Sequence, residues 1–108
     1  MRIATWNVER LKHINCMGKI QDLCLAAKAD IFVLTETDER LSLDYDYSCK
    51  TLPAKQVIGK LYAETENRVT IFSKYPIVKQ HESYDPYTAL CAEVETDRGN
   101  LIVYGTIM

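Results

Sequence analysis

Ile3-Ala4-Thr5-Trp6-Asn7-Val8 and Asp30-Ile31-Phe32-Val33-Leu34-Thr35-Glu36-Thr37 decide the fold. Each is a short apolar run with one polar group at its carboxyl end, Asn7 in the first and Glu36 in the second. Continuous apolar runs of this length predict strands covered on both faces. Between them, residues 17–29 place Ile20, Leu23, Cys24 and Ala27 on one face at helical spacing. That spacing predicts a helix, with Asn15 as its N-cap and Lys28 near the end where a cation suits the dipole. A strand–helix–strand unit brings both strand ends to one rim of a sheet, where phosphate and metal chemistry is commonly built.

Beyond Glu36 the pattern changes. Residues 37–42 predict a charged loop. Leu43, Tyr45, Tyr47 and Cys49 alternate with Asp44, Asp46 and Ser48, which predicts a half-exposed strand. Residues 50–66 read as loop. Val69–Ser73, Ile77–His81 and residues 90–96 read as strands. The last of these turns at Asp97-Arg98-Gly99-Asn100 and returns antiparallel through Leu101–Ile107. A strand and helix followed by hairpins imply an α+β or mixed α/β class, with one mainly antiparallel sheet and at least one helix packed on it. At 108 residues the chain is expected to be a single domain over 1–108. It stops just after an apolar strand, so the expectation is the front part of a longer domain, because uncovered strand edges invite aggregation.

Composition narrows the classes. A formal net charge of −2 gives no footprint for nonspecific nucleic-acid binding. No apolar run reaches the length of a transmembrane segment, and Arg2 and Asn7 leave no room for a signal-peptide apolar region. The four cysteines include no C-x-x-C pair, which excludes zinc-ribbon and thioredoxin motifs. Cys24 and Cys91 sit within apolar periodic segments, where a free thiol behaves as a small hydrophobe. Reduced cysteines and a cytoplasmic location are the expectation.

Taken together, Thr5-Trp6-Asn7-Val8, Leu34-Thr35-Glu36-Thr37 and the strand and turn Arg68-Val69-Thr70-Ile71-Phe72-Ser73-Lys74-Tyr75-Pro76-Ile77 resemble, in order, segments of the endonuclease/exonuclease/phosphatase (DNase I-like) family. The hairpin of residues 90–107 sits where a family hairpin is expected. The resemblance covers nearly the whole chain and implies the N-terminal half of a four-layer α/β sandwich, with an active site between the two halves. The later Asp-x-Asn and Asp-His motifs of the family do not occur in this sequence. The resemblance implies a metal-dependent phosphoester hydrolase (nuclease, phosphodiesterase or phosphatase) that uses Mg2+, with Mn2+ as a substitute. The substrate is then a phosphate ester: nucleic acid, a phosphoinositide or a phospholipid headgroup.

Mapped onto these residues, Glu36 is the expected metal ligand, since magnesium favours hard oxygen donors such as a carboxylate. Asn7 is a neutral ligand or an orienting amide at the same place. Both are therefore candidate catalytic residues. Arg68, with Glu66 and Asn67 beside it, is a candidate phosphate contact through its planar fork. Thr106 stands where many family members carry a phosphate-contacting histidine, a departure that leaves the substrate class open. Asp38 reads as a loop residue or a supporting acid. His13 and His81 lack partners of catalytic spacing, Tyr45 and Tyr47 read as strand packing, and Trp6 as core. These residues supply part of a site, so the chain alone is expected to be inactive, the rest coming from the missing C-terminal half. The alternative is a non-catalytic module that binds a partner or forms a homodimer through an exposed sheet.

Overall fold

A computed structural model describes residues 1–11, 14–54 and 62–107. Seven strands and one α-helix follow in the order β1 (Ile3–Asn7), α1 (Met17–Ala26), β2 (Ile31–Asp38), β3 (Tyr47–Lys50), β4 (Glu66–Ser73), β5 (Ile77–His81), β6 (Ala89–Thr96) and β7 (Gly99–Thr106). The strands form two sheets rather than the one expected. The first has the order β1-β2-β4-β3, and the second is an antiparallel β5-β6-β7 meander. The strand–helix–strand unit is present: β1 and β2 run parallel with Asn7 opposite Thr35, while β4 lies antiparallel on the other side of β2.

Period-two alternation along β2 explains the layering. Phe32 and Leu34 face α1, packing with Ile20, Cys24 and Phe72. Ile31 and Val33 face the second sheet, packing with Val69, Ile71, Leu90, Ala92, Val94 and Val103. The result is helix, sheet, sheet; the central strands β2 and β4 are covered on both faces, whereas the edge strand β1, expected to be covered, is exposed along most of its length. The sheets approach closely at Gly105. A Cβ there would lie 2.8 Å from Val69 Cγ1 and 3.0 Å from Val33 Cγ1.

Several local expectations are corrected. α1 begins after Cys16, whose side chain makes no capping bond, so Asn15 is not the N-cap. The helix ends where Lys28 takes φ 51°, a left-handed stop. Leu23 is exposed rather than core-facing, and Trp6 is 36% exposed at the edge strand β1. β2 continues through Asp38, into the stretch expected to be loop. β4 begins at Glu66 rather than Val69. Of the alternating segment 43–49 only Tyr47–Lys50 pairs as a strand; Leu43 and Tyr45 instead pack on the helix-side core. His13 and residues 55–61 of the expected loop lie outside the described residues. The hairpin turns at Asp97-Arg98, and Gly99 at φ 112° supplies the backbone conformation that other residues resist.

Thr51 carries a structural load the sequence did not signal. Beyond the β3–β4 ladder its Oγ1 accepts from the Arg68 and Val69 backbone N–H groups at 3.1 and 3.0 Å, and its own N–H donates to Val69 O. A buried hydroxyl here replaces a strand carbonyl as the acceptor.

All four cysteines are free thiols, and burial pushes Cys24 and Cys49 up to about 11. Among the described residues no helix is long and apolar enough to cross a membrane.

Thr51→Val leaves two buried backbone donors unpaired. It should lower the unfolding free energy by about 1–3 kcal/mol in urea titrations, against a small effect for Thr51→Ser. Gly105→Ala should cost about 1–3 kcal/mol through overpacking. Adding Val69→Ala should recover part of that loss if the sheet-to-sheet contact is its cause.

Candidate functional site

Asn7 and Glu36 reach the same rim through the parallel β1–β2 pairing, since Asn7 stands opposite Thr35. Their surroundings differ. Asn7 is exposed, and its Oδ1 accepts the backbone N–H of Glu9 at 2.9 Å. That bond closes a local turn in which Glu9 and Arg10 have φ 53° and 58°. The Asn7 amide nitrogen and the second lone pair of its oxygen remain for other partners.

Glu36 is half-buried and lies inside β2, yet its φ is 50°. A non-glycine residue in the left-handed region costs about 1–2 kcal/mol, and such strain concentrates at functional positions. The flanking pairs Thr35–Val69 and Thr37–Asn67 put Glu36 level with Arg68 on β4. Opposite charges level with each other on neighbouring strands commonly pair. Here, among the described residues, Glu36 makes no ion pair or side-chain hydrogen bond, and Arg68 turns elsewhere.

Arg68 Nη1 donates to Tyr62 Oη at 3.0 Å, and its Cζ lies 5.6 Å from the Tyr62 ring centre. Arg10 stacks on that ring at 4.1 Å. Its Nε and Nη2 donate to the two Glu66 carboxylate oxygens at 2.8 and 3.3 Å. Glu66 also accepts the Ala63 N–H at 2.6 Å. Its hydrogen bond to Glu66 holds the Arg10 guanidinium above its ordinary pKa against the desolvation it feels, and the nearby charge of Glu36 adds to the rise. Burial raises Glu66, but Arg10 and the Ala63 N–H outweigh it and leave its carboxyl below the usual range.

The other candidates have partners of their own. Asp38 is not a loop residue: it is 1% exposed at the end of β2. Its carboxylate accepts from the Arg40 backbone and guanidinium and from Thr65 Oγ1. Those bonds lower its pKa despite burial, and with its acceptors occupied its role is structural. Thr106 alternates with the inward-facing Val103 and Gly105, so it points to the outer face of the second sheet, where its hydroxyl meets Tyr84 Oη and Thr88 O. His81 pairs with Glu93 at 2.7 Å on that second sheet. Arg10 and Tyr62 were not found from sequence. Tyr62 lies in a stretch without periodicity, and Arg10 is brought in by the strained turn after β1.

Among the described residues, three buried polar atoms have no partner: Thr37 Oγ1, Asn67 Oδ1 and Arg68 Nε. Thr37 and Asn67 are cross-strand neighbours, so all three gather at the β2–β4 end next to Glu36. Among the described residues no group of three or more His, Cys, Asp or Glu side chains is placed to share a metal ion. A cation at this rim would therefore rest on the Glu36 carboxylate, with Asn7 Oδ1 a candidate amide ligand. One carboxylate with water and substrate oxygens suits the way Mg2+ is usually held.

The depressed Asp38 and Glu66 groups give a pH dependence of defined sign. Unfolded values near 4 mean that their stabilisation is complete above about pH 5 and is lost as pH falls through the lower folded values. Arg40→Ala should move the onset of acid unfolding upward and lower stability at pH 7, the exposed arginine being screened by solvent. Glu36→Gly should instead raise stability by about 1 kcal/mol by relieving the left-handed backbone; unchanged or lower stability in chemical denaturation would show that the conformation carries no strain.

Scans against protein-family models and against curated proteins found no match for this chain.

Proposed function

We propose that this chain contributes the metal-binding part of a Mg2+-dependent phosphoester hydrolase of the endonuclease/exonuclease/phosphatase kind. The observation that carries the reading is Glu36: a strained carboxylate within β2 that makes no ion pair among the described residues, held away from the arginine level with it. A carboxylate meant only for stability would pair with Arg68 and relax. Resemblance of the Asn7 and Glu36 segments to the family motifs supports the same reading.

In this proposal Glu36 holds the divalent cation, and Asn7 either adds its amide oxygen or orients a neighbouring ligand through its nitrogen. A cation so placed would polarise the phosphoryl oxygen and ease departure of the leaving oxygen. Arg68 neutralises a non-bridging phosphate oxygen. Its fork is suited to that, and preorganised charge of this kind supplies much of the acceleration in phosphoryl chemistry. The residues named here supply no general base, and the substrate class stays open among nucleic acid, phosphoinositide and phospholipid headgroup.

A second reading is a self-associating or partner-binding module without catalysis. Ile102 and Tyr104 favour it, because they are 54% and 48% exposed on the outer face of the second sheet.

Mn2+ added to the isotope-labelled chain should broaden the amide signals of Asn7 and of residues 35–37 selectively, and Glu36→Gln should abolish the effect. The chain by itself should not turn over bis(p-nitrophenyl) phosphate, because losing whole catalytic groups forfeits orders of magnitude in rate. Absence of selective broadening would overturn the cation assignment. Magnesium-dependent turnover that vanishes in Glu36→Gln would overturn the part-site element. Sedimentation showing only monomer at high concentration would count against self-association.

A further inference from the structure

Resting on the phosphoester reading, we propose that Tyr62 and Arg10 are positioning residues that build an oxyanion subsite around Arg68, and that this subsite takes a phosphate group beside Glu36.

Two guanidinium groups share one aromatic ring, with Arg10 at 4.1 Å and Arg68 at 5.6 Å from its centre. The two are not equivalent. Arg10 is neutralised by the two-point contact with Glu66 and is thereby fixed. Arg68 makes no ion pair among the described residues. Its Nη1 is committed to the Tyr62 hydroxyl at 3.0 Å. Its Nε, one prong of the pair of parallel donors that grips oxyanions, is buried without an acceptor.

A buried donor left unpaired costs about 1–3 kcal/mol, and more when it belongs to a charged group. Keeping a second cation close to Arg10 adds repulsion. A tetrahedral oxyanion at the Arg68 fork removes both penalties; the residue as a whole is half-buried while its Nε is closed to solvent, so binding requires the cover over Nε to open. A carboxylate would satisfy the fork equally well. Phosphate is favoured because Arg68 is level with Glu36, so the remaining phosphate oxygens would meet a cation held there. In this arrangement the Arg10–Glu66 pair anchors the face of Tyr62, and the Tyr62 hydroxyl fixes the rotation of Arg68. Only Arg68 touches the ligand.

The test uses the full chain with labelled arginine side chains. Inorganic phosphate and dimethyl phosphate are titrated separately while the Arg68 Nε–H signal is followed. The expected result is a saturable shift of that signal. Tyr62→Phe keeps the stacked ring but removes the hydroxyl, and should weaken phosphate binding roughly fivefold, the worth of one neutral hydrogen bond. Mn2+ broadening at Glu36 should be unchanged in Tyr62→Phe, which also shows that the variant folds. A response to inorganic phosphate alone assigns the subsite to monoesters, and a response to both assigns it to diesters as well. No Arg68 response to either anion, or equal affinity in Tyr62→Phe, would overturn the subsite. If Mn2+ binds and phosphate does not, the subsite fails alone. If phosphate binds at Arg68 and Mn2+ does not bind at Glu36, the phosphoester reading fails and the subsite stands.

Discussion

The pairing of β2 with β4, covered on both faces, is the constraint on which the rest of the structure depends. These strands form the centre of the first sheet, and their side chains supply both cores. Ile31, Leu34, Val69 and Ile71 are fully buried. At about 1.5–3 kcal/mol for each large apolar side chain removed from water, this contact outweighs any single polar interaction in the molecule. A one-residue slip would exchange the two faces of a strand, placing Phe32 and Leu34 against the second sheet and Ile31 and Val33 against the helix. Register is therefore fixed by packing, and everything at the strand ends inherits it.

That inheritance creates the rim. The apolar runs stop at Leu34 and begin again at Val69, and the residues beyond them are polar yet still paired. Buried polar groups must find partners, and most do: Asp38 with Arg40 and Thr65, Glu66 with Arg10 and Ala63, Thr51 with the Arg68 and Val69 backbone. Against so well-satisfied a background the exceptions stand out. Glu36 leaves the regular strand conformation, and Thr37, Asn67 and Arg68 each keep a buried polar atom without a partner among the described residues. A fold that satisfies its polar groups elsewhere and leaves these open has the pattern expected where function, rather than stability, sets the residue.

Tyr62 shows how charge is organised at this rim. An aromatic face attracts cations and lets one pack on it without a carboxylate. With Arg10 stacked there and tied to Glu66, Arg68 is held in place by a neutral hydroxyl and keeps its charge uncompensated. Held by a carboxylate instead, the same arginine would be electrically spent.

The sequence by itself determined the strand–helix–strand opening, the final hairpin and the class, because these follow from local periodicity and from turn residues such as Gly99. It also brought forward Asn7 and Glu36, since each polar residue ends an apolar run. Only the tertiary structure decided that the strands divide into two sheets, that Trp6 and Leu23 face outward, and that Asp38 lies buried within a strand. The same holds for Thr51 replacing a backbone carbonyl and for Arg10 and Tyr62 joining Arg68. The reason is physical: periodicity reports which face of an element is apolar, but not what will cover that face. Long polar side chains take their partners from residues far away in sequence, such as Glu66, which lies 56 positions from Arg10. Those partners exist only once the sheet register has been set.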